Sequence, residues 1–380
     1  MYTRLLKPLP RKSFFLFGPR GTGKTTWLKS QFPRALFFDL LDSEVYNDLL
    51  ANPSRLARMI PDQWREPVVL DEVQRVPALL HEVHRLIESR KLTFALTGSS
   101  ARKLRGKDVN LLAGRAHTLF MYPLTAQELE NDFDLGHALR FGHLPAIFQE
   151  TDKEKYLASY VTTYLREEVQ QEGLTRNLAA FTRFLEVASF SQAQLLNVSS
   201  VARESAVERK VVENYFSILE DLLIAERVPV FQKKAKRRTI QHPKFYFFDA
   251  GVYRAVRPRG PLDTPEDIDG AALETAVRQE IKAVNDYGGY GYRLYYWRTA
   301  SGREVDIVLY GERGIVAIEV KRSARVNQES LQGLTSFLDE YPQTRAYLVH
   351  GGDREMWEGN IHVMPAEAFI RQAPHILEGT

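Results

Sequence analysis

The segment Gly18-Pro19-Arg20-Gly21-Thr22-Gly23-Lys24-Thr25 has the spacing G-x-x-x-x-G-K-[ST]. Glycines so placed let backbone N–H groups curl around phosphate oxygens. The lysine reaches the β- and γ-phosphates, and the threonine hydroxyl can ligate Mg²⁺. Val68-Val69-Leu70-Asp71-Glu72 supplies a second half, an apolar run ending in two carboxylates. Such carboxylates lie at the C-terminal strand edge, where α/β sheets hold ligands. Asp71 is expected to hold Mg²⁺, directly or through water. Glu72 is expected to orient and deprotonate the water that attacks a phosphoanhydride. Its structural alternative is an acidic strand end that caps the next helix. Phe94-Ala95-Leu96-Thr97-Gly98-Ser99-Ser100 reads as a neighbouring strand with a polar end. Thr97 or Ser99 can hydrogen-bond the water or the γ-phosphate, or Ser99 and Ser100 simply cap a helix. Arg115 after Gly114 is either an arginine finger, in cis or in trans, or half of a salt bridge.

A second chemical cluster lies near the other end. Glu304-Val305-Asp306-Ile307-Val308-Leu309-Tyr310 alternates polar and apolar residues, Gly311 to Gly314 turns, and Ile315-Val316-Ala317-Ile318-Glu319-Val320-Lys321 returns. Period two puts Glu319 and Lys321 on one face. Pairing Gly311 with Gly314, or Tyr310 with Ile315, sets Asp306 opposite Glu319 and Glu304 opposite Lys321. Carboxylates facing across a ladder destabilise it unless neutralised. A divalent metal would neutralise them, activate a water and stabilise charge on a phosphate diester. Lys321 would position that water or steady the transition state. The competing reading is structural: a Glu304–Lys321 ion pair, with Asp306 and Glu319 on arginines such as Arg298 or Arg322. The helix over residues 271–284 carries Leu273, Val277, Ile281 and Val284 on its apolar face. Glu274 and Glu280 flank that face on opposite sides, and periodicity does not choose between them. Tyr295, Tyr296 and Trp297 read as sheet packing rather than a base-stacking platform.

The elements that must position these groups follow from the patterning. β-rich runs at 13–17, 35–39, 67–70, 93–97 and 117–121 alternate with helical stretches, the signature of a parallel sheet with crossover helices. Lys24, Thr25 and Thr26 open the helix after the glycine loop, so its positive N-terminus faces bound phosphate. From Asp152 to about Val228 the pattern is helical. Residues 198–206 and 209–219 read as two helices, followed by a strand. The run Lys233-Lys234-Ala235-Lys236-Arg237-Arg238 falls where a hairpin tip is expected. Such a tip neutralises phosphates without reading sequence. Arg209 and Lys210 open the second helix, but Glu213, Glu220 and Asp221 would repel a phosphate backbone. DNA binding and a protein-binding or interdomain module with a solvated basic loop both remain open. From Lys244 a strand, a linker around 257–265 with Pro258, Gly260, Pro261 and Pro265, a helix and several strands follow. Three units are expected: 1–150, 151–243 and 244–380.

Composition bounds the rest. A chain of 380 residues with 44% hydrophobic and 26% charged residues is ordinary for a globular protein. It has no cysteine, which excludes disulfides, thiolate zinc sites and cysteine nucleophiles. A net charge of +3 is too small to announce a nucleic-acid partner. No apolar run approaches the ~18 residues of a membrane span, and the basic start has no apolar signal core after it. A cytoplasmic protein is expected.

Gly18 to Thr25, Asp71-Glu72-Val73-Gln74 with Pro77 after it, Leu96 to Ser100, and Leu112-Ala113-Gly114-Arg115 together resemble a prokaryotic family of AAA-type ATPases. Its members carry a C-terminal domain of unknown function, and the resemblance covers essentially the whole chain. It implies an ATP site built from Gly18, Pro19, Arg20, Gly21, Thr22, Gly23, Lys24, Thr25 and Thr26. It implies ATPase roles for Lys24, Asp71, Glu72 and Ser99, and ring-like homo-oligomers. Residues 198–238 resemble a winged helix-turn-helix. The tail, with Asp306 and Glu319-Val320-Lys321, resembles the PD-(D/E)xK nuclease superfamily, although Val305 stands where that superfamily has proline. This second resemblance favours Glu274, in Gly270-Ala271-Ala272-Leu273-Glu274, as a further carboxylate for Mg²⁺ or Mn²⁺. The expected fold is therefore α/β: a P-loop parallel-sheet core, a helical winged-helix-like middle and a restriction-endonuclease-like α/β tail. Two functions follow. One is an ATPase coupled to a metal-dependent nuclease acting on DNA. The other is an ATP-driven switch or assembly protein whose tail is catalytically inert and binds a partner.

Overall fold

The structure is a computed structural model that describes residues 2–100, 112, 114–165, 169, 177–232, 242–261 and 263–379. The chain divides into two compact units. One spans Thr3–Tyr122 with Asp221–Leu223. The other holds Pro123–Glu220 and Ile224–Thr380. The middle and tail segments thus fall in one unit, and the boundary after Tyr122 precedes residue 150.

The first unit is built on β1 (Ser13–Phe17), α1 (Lys24–Gln31), β2 (Leu36–Asp39), α2 (Ser43–Ala51), α3 (Arg55–Met59), β3 (Val68–Asp71), α4 (Leu79–Arg90), β4 (Phe94–Gly98) and β5 (Ala116–Phe120). The strands form one sheet in the order β2-β3-β4-β1-β5, every pairing parallel. β1, β3 and β4 are buried along their whole lengths. A parallel strand covered on both faces needs continuous apolar sequence, which is why these runs do not alternate. Phe15, Leu70, Leu96, Leu80 and Leu86 belong to the core beneath the sheet. Because β1 lies between β4 and β5, its C-terminal end opens beside the ends of β4 and then β3. β3 runs one residue further than its apolar pattern, because the Asp71 carbonyl accepts the Leu40 N–H at 3.2 Å.

The second unit begins with α5 (Ala126–Leu129), α6 (Leu135–Phe141) and α7 (Lys153–Ser159), then α8 (Leu178–Ser189), β6 (Gln194–Leu195), α9 (Val198–Ser205), α10 (Arg209–Asp221), β7 (Ala225–Val228) and β8 (Lys244–Phe247). Side-chain caps start several of these helices: Thr125 with Glu128 in a capping box, and Asp134, Asp152, Asn177 and Asn197. β6, β8 and β7 form a small antiparallel sheet. The basic run Lys233–Arg238 lies outside the described residues. α11 (Ala250–Val256) follows β8 directly, capped by Asp249; the apolar pattern of the sequence had not separated it from the linker after it.

α12 (Pro265–Gly288) precedes β9 (Arg293–Arg298), β10 (Glu304–Gly311), β11 (Gly314–Lys321), α13 (Gln328–Glu340), β12 (Arg345–His350), β13 (Met356–Glu358), β14 (Ile361–Pro365) and α14 (Ala366–Glu378). These strands make a six-stranded mixed sheet, β13-β14-β12-β11-β10-β9. The β10–β11 hairpin pairs Gly311 with Gly314, Tyr310 with Ile315 and Ile307 with Ile318. That is the expected register, and the pairing stops one step before Asp306 and Glu319. Leu273, Val277, Ile281 and Val284 of α12 are all buried, as are Tyr296 and Trp297 of β9.

Candidate nucleotide site and a buried charge cluster

The glycine loop joins the end of β1 to the start of α1. Gly21 and Gly23 have φ of 84° and 90°, backbone that a side chain would strain. Gly18 has no room for a Cβ against the Met121 carbonyl. Gly23 caps α1, and Trp27 N–H closes the first turn on its carbonyl at 2.9 Å. Lys24, 6% exposed, donates from Nζ to the carbonyls of Gly18 at 2.7 Å and Pro19 at 3.2 Å. Thr22 Oγ1 also donates to the Pro19 carbonyl. Pro19 is buried, Arg20 half-buried and Thr26 exposed.

The strand ends meet this loop. Thr25 Oγ1 donates to Asp71 Oδ2 at 2.6 Å, and Thr97 Oγ1 donates to Asp71 Oδ1. Thr97 Oγ1 also accepts the Glu72 N–H at 2.9 Å. Burial pushes the Asp71 carboxyl above its ordinary range. The Thr25 and Thr97 hydroxyls oppose that rise, and the charges of Glu72 and Asp39 add to it. Glu72 itself sits at φ 60° and ψ 44°, a left-handed conformation costly for a glutamate. Gln74, for which the sequence analysis has no role, donates from Nε2 to Glu72 Oε2 and, at 3.0 Å, to Ser99 Oγ. The structure therefore brings Lys24, Thr25, Asp71, Glu72, Thr97 and Ser99 to one sheet edge. A hydroxyl and a carboxylate in direct contact, from the loop and from β3, suit a Mg²⁺ ion bound with phosphates. Arg115 instead pairs with Glu88 of α4, Nε to Oε1 at 2.5 Å, both side chains well exposed.

In the second unit, Glu274 of α12 and Asp306 of β10 converge on a group absent from the sequence expectation. Lys244, the first residue of β8, is 2% exposed. Its Nζ lies 3.2 Å from Glu274 Oε1, 2.5 Å from Glu304 Oε1 and 2.8 Å from Asp306 Oδ1. Its Nζ donates hydrogen bonds to Glu274 and Asp306 and forms an ion pair with Glu304. Tyr246 O–H donates to Glu274, and Arg298 pairs with Glu304 Oε2 at 2.7 Å. Asp306 Oδ2 accepts the Val320 N–H at 2.9 Å. Glu319 pairs through Oε1 with Lys321 Nζ at 2.6 Å, while its buried Oε2 has no hydrogen-bond partner. Arg322 faces Asp269 rather than this cluster. Glu280 lies elsewhere, accepting the Ala126 N–H with both oxygens, so the structure separates the two glutamates that periodicity left equal.

Electrostatics follow burial. Burial, then the Asp306 charge, pushes Glu274 up to about 7 and Glu319 up to about 8. Burial acts upward on Asp306 too, but the ammonium groups of Lys244 and Lys321 outweigh it and hold the carboxyl low. Burial opposes charge on Lys244, and its carboxylate neighbours more than compensate, so it remains an ammonium. A divalent ion does not fit while that ammonium stands between Glu274 and Asp306. Among the described residues no group of three or more His, Asp and Glu is arranged to hold a metal. The one sequence signal for Lys244 is a lysine opening an otherwise apolar strand run, Lys244-Phe245-Tyr246-Phe247.

Comparison with known proteins divides the chain in three. Residues 10–130 match the family described as AAA domain. Residues 132–263 and 269–369 match two families each described as a domain of unknown function, DUF8612 and DUF4143. The AAA match spans the glycine loop at Gly18–Thr25 and the Asp71-Glu72 pair. An uncharacterized protein of Mycobacterium tuberculosis is 26% identical over 383 residues, covering 97% of this chain and 83% of that one. An uncharacterized protein of Haemophilus influenzae is 21% identical over 215 residues, 52% of this chain and 54% of that one. Among solved structures, the Aeropyrum pernix ORC1 protein in complex with DNA is 16% identical with a TM-score of 0.24, over 66% of this chain and 86% of that one. Protein VC1899 from Vibrio cholerae is 13% identical with a TM-score of 0.24, over 96% and 97%. Scores this low establish no common global arrangement. Among the described residues no helix is long and apolar enough to cross a membrane.

Proposed function

We propose that this chain is an ATP-driven switch. It hydrolyses ATP in the first unit, and its C-terminal sheet engages a partner without cutting it. The observation that carries the ATPase reading is the 2.6 Å contact between Thr25 and Asp71, which joins the glycine loop to the end of β3. Lys24 exchanges the Gly18 and Pro19 carbonyls for phosphate oxygens when ATP enters. Thr25 and Asp71 would hold Mg²⁺, which supplies positive charge against the phosphates. Glu72 takes the proton of the attacking water, with Ser99 beside it through Gln74.

The non-cutting reading rests on Lys244, whose ammonium takes the place of a cation in the carboxylate cluster. The order α9, α10, β7, β8 supports a winged-helix likeness. In α10, however, Arg209 pairs with Glu213 at 3.3 Å, and Glu220 pairs with Arg227. Such pairing leaves little positive charge on that helix for phosphates. Within this segment the run Lys233–Arg238 is therefore the feature that supports DNA as a partner.

Phosphate release from ATP and Mg²⁺ by wild type, Lys24→Ala and Glu72→Gln tests the proposal, with plasmid cleavage in Mg²⁺ or Mn²⁺ alongside. Lys24→Ala loses ATP binding. Glu72→Gln binds ATP but turns over roughly 10²–10⁴-fold more slowly. Plasmid stays intact. ATP binding without turnover in wild type ends the ATPase reading. Cleavage that disappears in Asp306→Ala restores the nuclease.

A further inference from the structure

We infer that Lys244 is an internal stand-in for a divalent cation, and that Glu274, Asp306 and Glu319 form a latent Mg²⁺ or Mn²⁺ site that its ammonium keeps closed. The inference rests on the non-cutting reading above and names the device behind it.

Three features of the cluster carry it. The carboxylates come from separate elements, α12, β10 and β11, while the ammonium comes from β8, a strand of the other sheet. The lysine is thus a plug brought to the cluster rather than a part of the sheet that builds it. Burying a lysine costs several kcal/mol per ion before pairing, so a nearly solvent-free ammonium on three carboxylates is specific charge matching. Next, the outer groups are held independently of Lys244. Tyr246 holds Glu274, Arg298 holds Glu304, Lys321 holds Glu319 and the Val320 N–H holds Asp306. As placed around the ammonium they form no metal-binding group, so with it gone Glu274, Asp306 and Glu319 would close in on the cation. Last, Glu319 Oε2 is buried with no partner, and Glu319 adjoins Val320, whose N–H Asp306 Oδ2 accepts at 2.9 Å. A buried carboxylate oxygen without a donor is an unfilled coordination position. The result is an all-oxygen set of the kind that hard divalent cations take.

The distances explain why lysine excludes metal. Ammonium–carboxylate contacts here run 2.5–3.2 Å, whereas Mg²⁺–oxygen bonds need about 2.0–2.1 Å. The ion and the ammonium cannot share the space, and one positive charge already offsets part of the acidic cluster.

The test uses the full, nucleotide-free chain as wild type, Asp306→Asn, Lys244→Met, and Lys244→Met with Asp306→Asn. Mn²⁺ is titrated by calorimetry, and each melting temperature is taken with and without Mn²⁺. Wild type binds no Mn²⁺ in an Asp306-dependent way. Lys244→Met binds one additional Mn²⁺ per chain, and its lowered melting temperature rises with Mn²⁺. The Asp306→Asn change weakens that binding by at least roughly 10–100-fold. Lys244→Gln serves if the methionine variant does not fold without metal, and folding restored by Mn²⁺ supports the inference. A folded variant with no additional Mn²⁺ overturns it, as does failure of both variants to fold even in Mn²⁺. Asp306-dependent Mn²⁺ binding by wild type also overturns the plug. The non-cutting reading itself fails only if wild type cleaves DNA, which is read in the separate plasmid assay.

Discussion

Gln74 and Ser99 are joined by a 3.0 Å hydrogen bond from Nε2 to Oγ, and the same nitrogen donates to the Glu72 carboxylate. One amide therefore ties the residue assigned to the attacking water to the end of β4. Its orientation is set by charge, because reversing the amide would turn its oxygen toward the Glu72 carboxylate. Gly98 makes the space for it: a Cβ there would lie 2.8 Å from Gln74 Oε1. The side chain is buried, and its Oε1 has no hydrogen-bond partner.

Gln74→Ala should lower kcat for ATP hydrolysis by roughly 10–100-fold, a part of what a well-placed general base contributes. KM for ATP should stay close to that of wild type, because the Gln74 amide donates to Glu72 and Ser99 and Lys24 to the Gly18 and Pro19 carbonyls. Steady-state phosphate release over a range of ATP concentrations separates the two parameters. An unchanged kcat would mean that Glu72 is positioned without Gln74.

Thr97 should act on the pH profile. Burial raises the Asp71 carboxyl, and the hydroxyls of Thr25 and Thr97 counter that rise. Thr97→Val removes one of these hydroxyls, so the carboxyl stays protonated to higher pH. A metal-binding carboxylate must be ionised. The acid limb of kcat/KM should therefore move to higher pH in Thr97→Val, and activity below that limb should fall most. A limb that stays in place would show that Asp71 ionisation does not control the metal.

The sequence carried the first site further than the second, for a physical reason. The glycine loop and the carboxylates after β3 are local signals: residue types at fixed short spacing on a strand and a turn. Their neighbours are then placed by a parallel sheet whose runs are plain in the apolar pattern. The hairpin register around Gly311 and Gly314 was legible on the same grounds, since period two allows few alternatives. Lys244 was not legible. It lies 30 residues from Glu274 and 62 from Asp306, in a strand of another sheet, and no local pattern reports a contact of that kind. Gln74 was visible inside its motif, but its role depends on Ser99 across the sheet. The choice between Glu274 and Glu280 needed the packing of α12, because both flank the same apolar face.

Gly142 gives a test of the second unit. Its φ is 69°, and a Cβ would fall on the Asp249 side chain. Asp249 is fully buried and accepts the N–H groups of His143 at 2.8 Å and Val252 at 3.0 Å. Gly142→Ala combines a strained backbone, about 1–3 kcal/mol, with overpacking of about 1–3 kcal/mol. The unfolding free energy in urea should fall by about 2–6 kcal/mol. A loss well under the lower figure would mean that Asp249 moves aside without losing its backbone partners.

Glu280 should make stability depend on pH in a way that one substitution removes. It is buried and meets the Ala126 N–H with its two oxygens at 3.2 and 2.9 Å. Burial pushes its carboxyl from 4.5 up to about 8, with the Glu128 charge adding to the rise and the Ala126 N–H opposing it. Between those values the folded chain keeps a proton that the unfolded chain has released. Stability from this group is thus fully present below about 4.5 and is lost as pH rises toward about 8. Glu274 and Glu319, also raised, contribute slopes of the same sign, so the wild-type slope alone does not isolate Glu280. Glu280→Gln keeps the shape and an acceptor for Ala126 but cannot titrate. Relative to wild type, the variant should gain stability as pH rises through this window, at up to about 1.4 kcal/mol per pH unit. Urea unfolding of both proteins across the window measures the difference. Parallel curves would show that Glu280 is ionised in the folded chain, its charge held by the Ala126 N–H.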